Sequence, residues 1–172
     1  MLTTEKTERG AAYRLGGLAL FFAAGVILVA LGFEHLGDYQ PCPLCLMQRY
    51  AYYAAIPLLF AAMALSSEMP KFAALLFFAV ALAFLANAGL GVYHAGAEWK
   101  FWDGPATCSG AQPMPTSPAD LMKSLEESRV VRCDEAPWTF AGLSFAGWNV
   151  VTSVVLFALT LKAAFLAAEA RD

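Results

Sequence analysis

Four long apolar stretches alternate with polar segments along this chain. The first, Leu15–Phe33, carries no charge, and the third, Phe72–Tyr93, has Asn87 as its main polar member. Each stretch approaches or reaches the roughly 20 residues that span a bilayer as a helix. The pattern predicts transmembrane helices at about 15–35, 46–65, 72–94 and 145–166.

A soluble core holds one such segment, but four in 172 residues leave too little polar surface to cover them. The predicted fold class is therefore an all-α membrane protein, a four-transmembrane-helix bundle forming a single integral membrane domain over residues 1–172. Charged residues are 15% of the chain, against about 25% in soluble proteins. No basic cluster indicates a nucleic-acid partner.

The first stretch also has an alternative interpretation as a cleaved signal peptide. Its apolar run is longer than the roughly 7–15 residues of such a peptide, and no small-x-small cleavage site follows it. Lys6, Arg9 and Arg14 precede the stretch, and no further Lys or Arg occurs before Arg49. The positive-inside rule then places both termini in the cytoplasm.

The predicted long outer loop, about 95–140, is rich in Pro, Gly and Ser. Within it, Ser117-Pro118-Ala119-Asp120 predicts the start of a short helix, because Ser caps, Pro suits the first helical position and Asp favours the positive dipole end. Two placements remain open for this amphipathic helix: flat on the outer leaflet, or in solvent and packed on the bundle.

The predicted topology places all four cysteines on the outer side, where disulfides form. Cys42-Pro43-Leu44-Cys45 lies where the second helix begins, and amides at a helix N-terminus lower a thiol pKa. Arg49 is four residues beyond Cys45 and shares its face. An arginine at membrane depth is by default a functional candidate, although snorkelling to the headgroups is the plainer alternative.

Two structural interpretations compete for the cysteines. A four-cysteine zinc site needs a second close pair, and Cys108 and Cys133 are far apart in the sequence. Taken alone, Cys108 and Cys133 favour a structural disulfide. Beside a membrane-edge C-x-x-C motif that interpretation weakens, because two disulfides in one small region can exchange.

This arrangement resembles the DsbB family of bacterial inner-membrane thiol oxidases. The resemblance rests on the C-x-x-C at the outer end of helix two, the arginine four residues on, and the later loop cysteines. In the vitamin K epoxide reductase family the loop cysteines precede the C-x-x-C. The resemblance implies a protein-dithiol:quinone oxidoreductase in the inner membrane, with its cysteines in the periplasm.

The resemblance also implies a role for each cysteine. Cys108 would be attacked by a soluble DsbA-like periplasmic thiol oxidase, with Cys133 as its disulfide partner. Cys42 would exchange with this loop pair. Cys45 would face the quinone, ubiquinone or menaquinone, as a charge-transfer thiolate.

Two further residues are implied at the quinone, Arg49 and His94. Related sequences often have Glu before the arginine, where this chain has Gln48. Passing two electrons from a soluble oxidase at about −120 mV to a glutathione-like pool at about −180 mV is uphill by about 2.8 kcal/mol. Reoxidation therefore needs a more oxidising acceptor, and a quinone meets that need.

Two other function classes remain as alternatives. In the first, His35 and His94 are axial ligands of a haem-binding electron-transfer bundle, although the chain has no c-type Cys-x-x-Cys-His motif. In the second, the protein is a non-catalytic membrane scaffold with structural disulfides, and Cys45→Ser leaves any activity unchanged.

Overall fold

The computed structural model describes residues 2–105 and 133–170, which are mainly helical. The elements are four helices and a two-stranded antiparallel hairpin: α1 (Leu2–His35), α2 (Pro43–Leu65), α3 (Pro70–Glu98), β1 (Thr139–Phe140), β2 (Leu143–Ser144) and α4 (Phe145–Glu169). Ala141 and Gly142 form the hairpin turn, with φ of 52° and 80°. Positive φ at both central residues is what a tight two-residue hairpin requires.

Local sequence sets where three of the helices begin. Pro43 and Pro70 occupy first-turn positions of α2 and α3, where the missing proline N–H costs nothing. Cys42 caps α2 through its sulfur, which accepts a hydrogen bond from the Cys45 N–H. Ser144 caps α4 by accepting from the Gly147 N–H.

Three helices are long and apolar enough to cross a membrane: Gly10–His35 within α1, Pro70–Glu98 and Phe145–Glu169. Large apolar side chains such as Phe21 and Phe60 are mostly exposed on the bundle surface, as expected of a surface that faces lipid. The protein is therefore a helical membrane protein, which confirms that part of the predicted fold class. The predicted loop helix beginning at Ser117 lies outside the described residues.

The short turn between α2 and α3 makes these helices antiparallel neighbours. Small residues allow close packing elsewhere: a Cβ on Gly91 of α3 would lie 2.8 Å from Val150 Cγ2 of α4. Asn87 of α3 donates to Ser153 and Asn149 of α4. The packing brings the start of α2, the end of α3 and the start of α4 together, and we call this region the cysteine end of the bundle.

Candidate redox site

Cys42 has the surroundings of a stabilised thiolate. Its sulfur accepts the Cys45 N–H at 3.1 Å and lies 3.6 Å from His94 Nε2, with only 3% of the residue exposed. Hydrogen bonds from Cys45 and then from His94 lower the pKa of Cys42 from 9.0 to about 5, against the opposing effect of burial. A thiolate is the form of cysteine that attacks a disulfide.

A disulfide sulfur lies beside this thiol. Cys133 is buried and disulfide-bonded, whereas Cys42 and Cys45 are free. The Cys42 and Cys133 sulfurs and a His94 ring nitrogen all lie within 4.8 Å of one another. Two cysteines and a histidine this close together can form a metal site, but metals bind thiolates and the Cys133 sulfur is in a disulfide. The arrangement is instead that of a nucleophile beside a disulfide.

An ion pair next to Cys133 ties its segment to the end of α3. Lys100 Nζ lies 2.6 Å from the Asp134 carboxylate. Lys100 itself has a φ of 62°, which turns the chain immediately after α3. The pair fixes the residue that follows Cys133 close to the helix that carries His94.

His94 is the centre of a buried polar chain. Its Nδ1 lies 3.0 Å from Gln48 Nε2, and its Nε2 lies 3.8 Å from the Glu98 carboxylate, one turn further along α3. Ser144, at the start of α4, donates its hydroxyl to Glu98. Side chains of α2 and α3 thus contact the imidazole, and the residue that caps α4 contacts Glu98.

Cys45 faces a different space from Cys42. A cavity of about 590 Å³ lies among α1, α2, α4 and the segment after Cys133, and Cys45, Gln48 and Arg49 line it. Arg49 donates to the carboxylate of Glu34 on α1 and reaches the Ala30 carbonyl at 3.5 Å. The cavity size is typical of small-molecule sites.

Aromatic side chains form much of the remaining wall near the cysteine end. Phe33 packs edge-on against Phe145, with ring centroids 5.0 Å apart, and Trp138 stacks on Phe145 at 4.9 Å. Trp138 follows Cys133 by only a few residues. The cavity and the disulfide therefore share one short segment of chain.

The family model described as disulfide bond formation protein DsbB matches residues 13–163.

The chain belongs to the DsbB family.

Proteins named disulfide bond formation protein B are similar over most of their length. The one from Aromatoleum aromaticum is 29% identical over 163 residues, covering 85% of this chain and 90% of the relative. Relatives from Herminiimonas arsenicoxydans and Xanthomonas oryzae pv. oryzae are 33% and 32% identical, covering 81% and 91% of this chain and 87% and 91% of their own. No solved structure matches the chain significantly.

Membership in the DsbB family makes this protein an oxidoreductase of disulfide bond formation in the membrane. It also implies a thiol-oxidase partner. The family model extends over all four cysteines, all of α2 and α3, and most of α1 and α4.

The residues predicted from the sequence fall into two groups in this DsbB-family fold. Cys42, Cys133 and His94 lie together, whereas Cys45 and Arg49 face the cavity. Among the described residues that line the cavity, His94 is absent, so its predicted contact with a quinone stays a prediction. Cys108 lies outside the described residues.

Sequence reasoning missed three polar residues of the site. Glu98 is four residues after His94, a spacing that already places the two on one helix face. Glu34 as the partner of Arg49 and Ser144 as the partner of Glu98 depend on how separate helices pack. No local pattern in the chain predicts those two contacts.

Proposed function

We propose that this protein oxidises a soluble periplasmic dithiol oxidase of the DsbA type and passes the two electrons to a membrane quinone. In this proposal the protein lies in the bacterial inner membrane as one integral domain. Both termini are cytoplasmic, and the cysteine end faces the periplasm. The basic residues before the first helix support that orientation.

The observation that carries the proposal is the position of Cys42 beside the Cys133 disulfide. The two sulfurs lie within 4.8 Å, and the pKa of Cys42 is lowered to about 5 by the hydrogen bonds from Cys45 and His94. A scaffold with purely structural disulfides has no need of a buried, acidified free thiol next to a disulfide.

In this proposal the electrons pass through a series of thiol–disulfide exchanges. The soluble partner reduces the loop disulfide through a mixed disulfide at Cys108. The Cys133 thiolate then attacks the Cys42 sulfur of a Cys42–Cys45 disulfide, and Cys45 leaves as a thiolate. Attack of Cys108 on Cys133 closes the loop disulfide and releases the Cys42 thiolate. The free Cys42 and Cys45 and the bonded Cys133 correspond to the product of this exchange.

The cavity supports a quinone as the electron acceptor. When bound, a quinone accepts two electrons and two protons, and the Cys42–Cys45 disulfide forms again. Cys45 lines the cavity, and Arg49 in the same wall supplies a cation with five N–H donors. Glu34 holds the guanidinium in place. An apolar wall of aromatic and aliphatic side chains suits a lipid-soluble ring better than a charged ligand.

The haem alternative is disfavoured by the contacts of His94. Its Nε2 faces Cys42 and Glu98, and its Nδ1 faces Gln48, so both ring nitrogens are engaged with neighbouring side chains. An axial ligand needs one ring nitrogen directed at the iron.

Turnover of purified protein with a reduced DsbA-type substrate and a soluble ubiquinone analogue tests the proposal. Wild-type protein should consume quinone as substrate thiols disappear. Cys45→Ser should abolish quinone reduction, while Cys108→Ser should abolish transfer from the protein substrate but leave reduction by a small dithiol. Full turnover of both variants with the protein substrate would refute the assignment.

A further inference from the structure

The buried polar chain around His94 includes Glu98 and Ser144, which are not needed for thiol–disulfide exchange itself. Cys42, Gln48, His94 and Ser144 are each at most 5% exposed, and the Glu98 side chain is 4% exposed. A buried carboxylate is costly unless it is paired and hydrogen-bonded. The Ser144 hydroxyl and the His94 ring give Glu98 both kinds of partner.

We propose that Glu98 is a positioning residue that acts through His94, keeping this imidazole protonated with its Nε2–H directed at Cys42. In turnover this inference rests on the proposed function, because it concerns the exchange of Cys42 with the loop disulfide. The effect of Glu98 on the Cys42 thiol itself requires neither a quinone nor a partner protein.

The proton transfer balances between two atoms. Cys42 gives up its S–H proton to His94 Nε2, which yields a thiolate and an imidazolium. When Cys42 then enters a disulfide, its negative charge is gone, and the imidazolium would lose its counter-charge. Glu98, 3.8 Å from Nε2, supplies that counter-charge. The proton therefore stays on His94, and Cys42 leaves its next disulfide as a thiolate.

Gln48 is suited to both protonation states of the ring. Its amide lies 3.0 Å from Nδ1, and a half-turn of the amide places the side-chain carbonyl there. That carbonyl accepts from Nδ1–H both in the neutral tautomer whose Nε2 takes the Cys42 proton and in the imidazolium that results. A glutamate at this position would only accept and would add a second carboxylate beside the ring.

The charged and titratable groups around Cys42 and His94 come from every neighbouring element. Cys45 faces Cys42 from α2, and Glu98 faces His94 from α3. From the loop come the disulfide sulfur of Cys133 and, next along the chain, Asp134 paired with Lys100. Ser144 contributes the polar contact from the start of α4.

A direct effect of Glu98 on Cys42 and an effect through His94 predict opposite changes in the pKa of Cys42 when Glu98 is replaced. If Glu98 acts on Cys42 only as a nearby like charge, Glu98→Gln must lower the pKa of Cys42. If Glu98 keeps His94 charged, the same change removes the cation beside the thiolate and raises the pKa of Cys42 by about one unit. The sign of the shift separates the two roles.

The test titrates Cys42 as the single thiol of the full-length chain, with Cys45, Cys108 and Cys133 changed to Ser. Ultraviolet absorbance of the thiolate is followed against pH, and Glu98→Gln is compared with its parent. An upward shift is expected. Glu34→Gln, the same substitution at a carboxylate paired with Arg49, is the matched control and should leave the titration of Cys42 unmoved.

A second pair of variants separates positioning from general disturbance. In a His94→Gln background, Glu98→Gln should no longer raise the pKa of Cys42, because its intermediary is gone. Ser144→Ala, which removes the hydroxyl from Glu98, should shift it upward by a smaller amount. A downward shift, no shift, or an upward shift that persists without His94 would each overturn the inference. Since the titration contains no quinone or partner, failure of wild-type quinone reduction would count only against the proposed function.

Discussion

Arg49 on α2 donates a hydrogen bond to the carboxylate of Glu34 on α1, at the wall of the cavity that Cys45 also lines. A cation within a membrane protein is costly when it has no partner. The pairing explains how Arg49 remains in the wall with its planar guanidinium in a fixed orientation.

Arg49→Lys should raise the apparent KM for quinone by about tenfold, which corresponds to about 1.4 kcal/mol. Lysine keeps the positive charge but loses the planar fork of donors. Glu34→Gln keeps the arginine and loses only its charged partner, so its KM should rise less. Steady-state kinetics with a soluble quinone analogue measure both. An Arg49→Lys protein with an unchanged KM would remove Arg49 from the quinone site.

Cys42 should react as a thiolate over most of the accessible pH range. Hydrogen bonds from Cys45 and His94 lower its pKa from 9.0 to about 5, so the thiolate predominates above about pH 5 and is lost as pH falls through that value. The rate of alkylation of Cys42, followed on its own peptide by mass spectrometry in wild-type protein with Cys42 and Cys45 reduced, should be flat above this point and fall about tenfold per pH unit below it. A midpoint near 9.0 would contradict the described surroundings of the sulfur.

Gly91 should be intolerant of a side chain because α3 and α4 touch there. An added Cβ would lie 2.8 Å from Val150 Cγ2, so Gly91→Ala should destabilise the fold by about 1–3 kcal/mol. Gly89, two residues earlier in α3, provides the control, because a Cβ added there would have no atom within 4 Å outside its own helix backbone. Thermal unfolding in detergent should show a lower Tm for Gly91→Ala and an equal or higher one for Gly89→Ala. Equal losses would mean that α3 and α4 do not pack as described.

The exposed ion pair between Lys100 and Asp134 should contribute little to stability. Lys100 is 59% exposed at its side chain, and surface pairs of this kind are typically worth about 0–1 kcal/mol. Lys100→Met should therefore leave the Tm nearly unchanged. Any effect should appear in the rate of exchange between Cys42 and the loop disulfide, measured by rapid quenching. A large loss of Tm would show that this pair supports the fold rather than the position of Cys133.

The sequence predicts the helices well where strong local signals agree. Pro43 and Pro70 each begin a helix that follows a polar turn, and the apolar runs give the helices their length. The third helix extends to Glu98, beyond the predicted end near residue 94, and the buried Glu98 side chain there accepts a hydrogen bond from Ser144. A hydropathy pattern cannot predict the contact with Ser144, because that contact depends on how α3 packs against the start of α4.

Chemistry within one turn of a helix is also predictable from spacing. The Cys45 N–H that bonds to Cys42 and the shared cavity face of Cys45 and Arg49 follow from the start and period of α2. The contact of Cys42 with His94 does not, because it depends on how α2 packs against α3. The resemblance to the DsbB family implies a quinone contact for His94, whereas the structure places this residue beside the Cys42 sulfur and not among the described residues that line the cavity.

Direct exchange between Cys42 and Cys133 can be trapped by removing Cys45. In a Cys45→Ser protein, the Cys42 thiolate has no partner within its own motif and should attack the adjacent loop disulfide. Peptide mapping by mass spectrometry after acid quenching should then find a Cys42–Cys133 disulfide with a free Cys108 thiol. A Cys42–Cys108 bond, or an intact loop disulfide beside a free Cys42, would contradict the account.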